Sequence, residues 1–286
     1  MKTAYAATGF QMIREIEVQN YKCYEHLRIN DCARLNVIVG ANGIGKTALL
    51  ESIFLPLSSG TEAAARLRIQ RGLDVPLGGT RSRIERGLWG DFFFNNDTSR
   101  SILLSLSGDG PESRKLSIAR VRSQTQLKFG GKEPTFIEGP VLFQWTDAIG
   151  GIHPAIPQVG PAGMQLPDTG EDLPYFFHFP ATQMVGSTEI ATNFSELISN
   201  GGEQRFIEAF SKEYPIIEDI KIHVHAGSPV LFATLKDTKA RVALPNLSGG
   251  INRTMAIQLA IASRPTSVMT IDEIENGIYY RSMPEV

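Results

Sequence analysis

The stretch that most constrains this chain is LNVIVGANGIGKTALLESIF, residues 35–54. An apolar run, Leu35 to Val39, enters a glycine-rich turn, and Lys46–Thr47 then opens a segment with helical patterning. Gly40, Gly45, Lys46 and Thr47 satisfy the G-x-x-x-x-G-K-[ST] pattern, with Ala41, Asn42, Gly43 and Ile44 inside the turn and Ala48 just after it. Glycines let successive backbone N–H groups turn toward phosphate oxygens, and the start of a helix adds a favourable partial charge. Lys46 would reach the terminal phosphates and Thr47 would offer its hydroxyl to magnesium. A strand before the turn and a helix after it complete the expected setting.

The chain has 286 residues, 42% of them hydrophobic, and a formal net charge of −2. That composition suits a soluble globular protein, and any basic surface on it must be local. Cys23 and Cys32 fit neither a metal spacing nor a disulfide framework, so a reducing cytoplasm is the simplest location. No apolar run approaches the roughly 18–20 residues of a membrane span, which argues against a membrane partner. Residues 1–11 lack an apolar signal core and read as a disordered extension.

Fold class is expected to be α/β, a mixed sheet with an antiparallel β subdomain and flanking helices. IREIEVQNYKCYEHLRI, from Ile13, alternates around a polar break at Gln19–Lys22 and predicts two strands leading to the phosphate-loop strand. Lys46 to Leu55 is predicted helical, stopping near Pro56; residues 62–90 are arginine-rich and mixed. Residues 101–122 predict a hairpin around Gly108–Pro111. Between 130 and 180 lie eight of the sixteen prolines, which predicts long loops between short strands. Helices are expected over Phe194–Tyr214 and Gly250–Ser263, a hairpin around Ala226–Pro229, and a short apolar strand ending at Asp272–Glu273.

Two further segments carry chemistry. VMTIDE places Asp272 and Glu273 at the end of a predicted buried strand, where Asp272 would hold magnesium through water and Glu273 would orient the attacking water. LSGGINRTMAIQLAIAS, 247–263, has Ser248, Gly249 and Gly250 opening a helix, a second anion-binding N-terminus.

Phosphate loop, LSGG at a helix start, then an acidic pair: this order resembles the ATP-binding-cassette class of P-loop ATPases. The opening from Ile13 through the loop, and IDEIENGIYY at 271–280, resemble its soluble SMC/RecF/OLD-like branch, an AAA family ATPase. The likeness covers about residues 12–57 and 190–286. It implies one ATPase domain over 12–286: strands and phosphate loop at 12–57, a β- and loop-rich insert at 58–190, and signature and acidic motifs within 191–286. It also implies ATP and Mg2+ as cofactors and an ATP sandwich. Lys46, Thr47, Asp272 and Glu273 act in cis on a nucleotide that Ser248 and Gly250 of a second copy contact in trans. Ile251 stands where the family's signature often has glutamine. Asn42 lies where its side chain would contact the γ-phosphate region. Gln70 and Gln144 are the candidates for the family's Q-loop glutamine.

The resemblance implies ATP-driven dimerisation acting on DNA or on a separate nuclease or toxin effector, in DNA repair or anti-phage defence. The alternative is a non-catalytic ATP-binding regulatory scaffold. A transporter ATPase subunit fits less well, because the insert between Thr47 and Leu247 is long. Arg66, Arg68, Arg71, Arg81, Arg83 and Arg86 fit either a nucleic-acid-facing patch or a solvated helix face. His223 and His225 fit a metal pair or ordinary strand histidines, and DLPYFFHFP, 172–180, reads as a buried strand. The family places a further strand and a switch histidine after the acidic pair. Only thirteen residues follow Glu273 and Tyr279 is among them, so the chain is expected to be a fragment, with weak hydrolysis.

Overall fold

The computed structural model describes residues 12–58, 60–73, 81–122, 138–160, 163–167, 176–181, 185–265 and 267–276. The expected extension at 1–11 and the end of the chain, with Tyr279, lie outside them. Two compact units divide the chain, Met1–Phe176 and Phe177–Val286.

The first unit is built on an antiparallel sheet. Its strands are β1 (Ile13–Tyr21), β2 (Tyr24–Ile29), β3 (Ile102–Gly108), β4 (Arg114–Arg122), β5 (Glu138–Thr146) and β6 (Ile152–Ala155), in spatial order β2-β1-β3-β4-β5-β6. Alternation sets the buried face: Ile102, Leu104 and Leu106 of β3 and Leu116 and Ile118 of β4 are all buried. The turn between β1 and β2 falls at Lys22–Cys23, where Lys22 takes a positive φ of 50°. Tyr21 thus stays in its strand, fully buried and edge-on to Phe92, rather than in the polar break. The β3–β4 hairpin forms as predicted.

Helices α1 (Lys46–Phe54), α2 (Glu62–Gln70) and α3 (Arg81–Trp89) belong to this unit, with a short ribbon of β7 (Gln158–Gly160) and β8 (Gly163–Gln165). A helix leaves its last carbonyls unsatisfied, and at α1 the sheet supplies donors. Trp145 Nε1 donates to Leu55 O at 3.1 Å and Arg114 Nε to Pro56 O at 2.9 Å. Glu51 of α1 is buried and accepts from Arg71 at 2.9 and 3.0 Å and from the ammonium of Lys22. Those bonds tie the helix below the phosphate loop to the β1–β2 turn and to the residue after α2.

The second unit contains α4 (Ser187–Ser199), α5 (Glu203–Glu213), the three-stranded sheet β10 (Ile217–His225), β11 (Ser228–Leu235) and β12 (Arg241–Ala243), then α6 (Gly249–Ser263) and β13 (Val268–Ile271). β13 pairs with β9 (Phe176–Phe179), which begins at the unit boundary. Ile190, Phe194 and Leu197 of α4, and Phe206, Ile207 and Phe210 of α5, follow helical spacing into one core with Ile220, Leu231 and Met255. α6 is buried on nearly every side, from Asn252 to Ser263, so it is the central helix of this unit. α4 starts seven residues before the expected Phe194, because its polar first turn hides the apolar stripe.

One expectation fails here. Residues 36–40 belong to no strand, and Leu35, Val37 and Val39 are 82%, 79% and 84% exposed. A strand is a property of a pair, and no described strand runs beside this one. The strand before Asp272 is half-buried rather than buried, paired through β9.

Candidate functional site

In the first unit the phosphate loop is held from its helical side. Gly45 is the N-cap of α1 with φ 113°, and no side chain caps this terminus. A Cβ at Gly45 would lie 2.6 Å from Cys23 Sγ and 2.7 Å from Tyr24 Oη, so both conformation and space demand glycine. Tyr24 Oη also donates to Gly45 O at 3.1 Å, fixing the point where loop becomes helix. Gly43 has φ 79°, and Ile44 N donates to Ala41 O at 3.4 Å.

Lys46 Nζ curls back over the loop, donating to Gly40 O at 2.7 Å and Ala41 O at 3.1 Å. The ammonium and the uncapped helix start therefore face the same concave turn, an arrangement suited to an anion. Gly40 to Ile44 are exposed, Gly45 to Thr47 half-buried, and Ala48 buried. Thr47 contributes a hydroxyl one residue after Lys46, the hard oxygen donor a magnesium ion accepts.

In the second unit Ser248 is the N-cap of α6. Its Oγ accepts from Ile251 N at 3.2 Å and its carbonyl accepts from Asn252 N at 3.1 Å. Ser248 and Gly249 are exposed and Gly250 is half-buried, so this helix start lies on the surface.

The acidic pair sits on a pinned turn. Asp272 is 5% exposed, and its N–H donates to Phe179 O at 2.9 Å. Glu273 is exposed and adopts φ 46°, a left-handed conformation costing a non-glycine residue about 1–2 kcal/mol. Its carbonyl accepts from Asn276 N at 2.9 Å, and Asn276 Nδ2 donates to Ala181 O at 2.8 Å. Arg253 of α6 holds the same turn: Nη2 donates to Asp272 O at 2.5 Å and Glu273 O at 3.2 Å, and Nη1 to Pro180 O at 2.9 Å. Burial lowers the Arg253 pKa from its ordinary value, opposed by the charges of Asp272, Glu273 and Glu275. Sequence reasoning missed Arg253. Its signal was that it is the one charged residue among the fifteen of α6.

The arginine group divides. Arg68 is buried, its Nη1 donating to both carboxylate oxygens of Asp91 at 2.7 and 2.8 Å, so it belongs to neither a solvated face nor a nucleic-acid patch; Arg71 stays 41% exposed while it pairs with the buried Glu51. Arg66 makes a loose surface pair with Glu62 at 3.9 Å. Arg86 is exposed, and the side chains of Arg81 and Arg83 lie outside the described residues. His223 packs edge-on against Phe232, 5.2 Å between centroids, and His225 lies 6.1 Å from the same ring. Gln144 lies mid-sheet opposite Ser117 and Pro154, and Gln70 ends α2. An open groove of about 460 Å³ is lined by Gln19, Glu25, His26 and Arg100, none of them an expected site residue.

The family model described as the AAA ATPase domain matches residues 12–86. The chain is 29% identical over 102 residues to the DNA replication and repair protein RecF of Bacillus mycoides (strain KBAB4), across 36% of this chain and 25% of that protein. That match therefore spans a quarter of RecF. It is 21% identical over 299 residues to an ATP/GTP phosphatase of Helicobacter pylori (strain ATCC 700392 / 26695), across 95% of this chain and 78% of that one. Among solved structures, the recombination mediator RecF with ATP aligns at a TM-score of 0.41 and 13% identity, covering 99% of this chain and 88% of that one. The Smc head domain of Pyrococcus furiosus, bound to the C-terminal domain of ScpA, aligns at 0.42 and 11% identity, covering 92% and 90%. Among the described residues, no helix is long and apolar enough to cross a membrane.

Proposed function

We propose that the chain is an SMC/RecF-like P-loop ATPase that binds ATP at residues 40–48 and hydrolyses it within a dimer of two copies. Lys46 and the loop N–H groups take the phosphates. Thr47 and Asp272 are the oxygen donors for magnesium, which when bound neutralises charge building on the phosphate oxygens. Glu273 orients and deprotonates the attacking water. Ser248 and the start of α6 contact the nucleotide of the second copy. The observation that carries this reading is the exposed start of α6, where a serine and two glycines open the central helix of their unit to the surface. DNA, or an effector protein whose access the dimer controls, is what the ATP cycle acts on; the likeness to RecF favours DNA.

The test combines turnover with light scattering. Glu273→Gln keeps the shape of the side chain and removes the base. ATP should then hold the protein as a dimer while turnover falls by the ~10²–10⁴-fold typical of general-base loss. Ser248→Arg should stay monomeric with ATP. Wild-type turnover in Glu273→Gln, or an ATP-independent monomer in both variants, would contradict the proposal.

A further inference from the structure

The acidic turn is held by more than its own strand. Among the described residues, the three hydrogen bonds of Arg253 go to backbone oxygens, those of Pro180, Asp272 and Glu273, and none to a carboxylate. A guanidinium spent on carbonyls beside three acids fixes where the chain runs rather than neutralising one side chain. The chain there needs fixing, because Glu273 stands at φ 46° and is exposed. Arg253 lies five residues after Ser248 on the same helix, and that helix is buried along most of its length. A rigid element thus joins the exposed helix start to the turn bearing the acid.

We propose that Arg253 is the positioning residue of Glu273, clamping the Asp272–Glu273 backbone and tying the orientation of that acid to the helix that Ser248 begins. The catalytic half of this proposal rests on the reading of Glu273 as the base. A lysine cannot take its place. One ammonium lacks the planar fork that reaches Pro180 O and the Asp272 and Glu273 carbonyls together.

The experiment uses the full chain with Arg253→Ala, Arg253→Lys and, for comparison, Glu273→Gln. Two quantities are read: single-turnover ATP hydrolysis with ATP affinity, and amide hydrogen exchange. Both Arg253 variants should lower the hydrolysis rate by about 10–10²-fold, the scale of a misplaced catalytic group, while ATP affinity stays within about twofold. Methylguanidinium should restore part of the rate in Arg253→Ala and none in Glu273→Gln. Exchange of the Asp272 and Asn276 amides should quicken in both Arg253 variants, with the buried amides of α4 unchanged. Arg253→Lys keeps the charge and the stem, so it serves if the alanine variant fails to fold.

Unchanged exchange at Asp272 and Asn276 overturns the clamp whatever the rates do. Faster exchange with an unaltered rate, where Glu273→Gln is inactive, overturns the positioning role alone. Wild-type turnover in Glu273→Gln instead removes the assignment of the base, and the exchange result then decides whether the clamp stands.

Discussion

The phosphate loop and the acidic turn are built in opposite ways. The acidic turn is tied on each side: Asp272 N bonds to β9, Asn276 reaches Ala181, and Arg253 grips three carbonyls. The loop is tied from one side only. Tyr24 and the buried Glu51 hold the helix it opens, whereas Leu35, Val37 and Val39 lead into it with exposed side chains and no described strand beside them. A turn that must aim a carboxylate at water has to be preorganised. A loop of backbone donors can instead take its final order from the anion it surrounds, at a cost in affinity. On this account, disturbing the loop's support acts on folding or binding, and disturbing the turn's support acts on chemistry.

The largest effect should come from breaking the buried ion cluster that anchors the helix the loop opens. Glu51→Ala leaves Lys22 and Arg71 without their shared carboxylate, and removing one partner of a buried pair costs about 3–5 kcal/mol. Urea unfolding would measure it. Burial lowers the Lys22 pKa, against the opposing pull of Glu51, so losing Glu51 lowers it further. The unfolded chain then binds more protons than the folded one between that lowered pKa and the ordinary lysine value. Stability therefore rises with pH across this window, and the deficit of Glu51→Ala should shrink toward about pH 10. A deficit below 1 kcal/mol at neutral pH would mean that the helix under the loop is held some other way.

Next is Lys46→Ala, which removes the ammonium now resting on Gly40 O and Ala41 O. ATP affinity by calorimetry should fall by about 1.5–3 kcal/mol, the worth of a hydrogen bond to a charged group, with folding stability little changed. Unchanged affinity would remove this loop from the site.

Smallest is a pair of surface changes, Val37→Lys and Val39→Thr, at side chains that are 79% and 84% exposed. Each should shift thermal stability by no more than about 0.5 kcal/mol. A loss of 2 kcal/mol or more would show the run packed against something, and the contrast between loop and turn would weaken.

What could be read in the sequence follows the range of the forces involved. α1 and α6 were legible because glycine, serine and apolar spacing act within one or two turns of the chain. The β3–β4 hairpin was legible for the same reason, its turn marked at Gly108–Pro111. The strand expected at 35–39 does not form, because an apolar pattern states only a willingness to pair and says nothing of a neighbour. The burial of Arg68 and the pairing of Arg71 were not legible because their acids, Asp91 and Glu51, lie about twenty residues away in sequence. Arg253 escaped notice for a related reason: the carbonyls it holds belong to β9 and the acidic turn, which only folding brings to α6.

The most direct measurement is amide hydrogen exchange of the wild-type chain with and without a non-hydrolysable ATP analogue. In the free protein, amides 41–45 should exchange quickly while Asp272 and Asn276 are already protected. The analogue should slow the loop amides by at least tenfold and leave the acidic turn nearly unchanged. A loop protected before nucleotide is added, or one that the analogue leaves fast, would contradict the account.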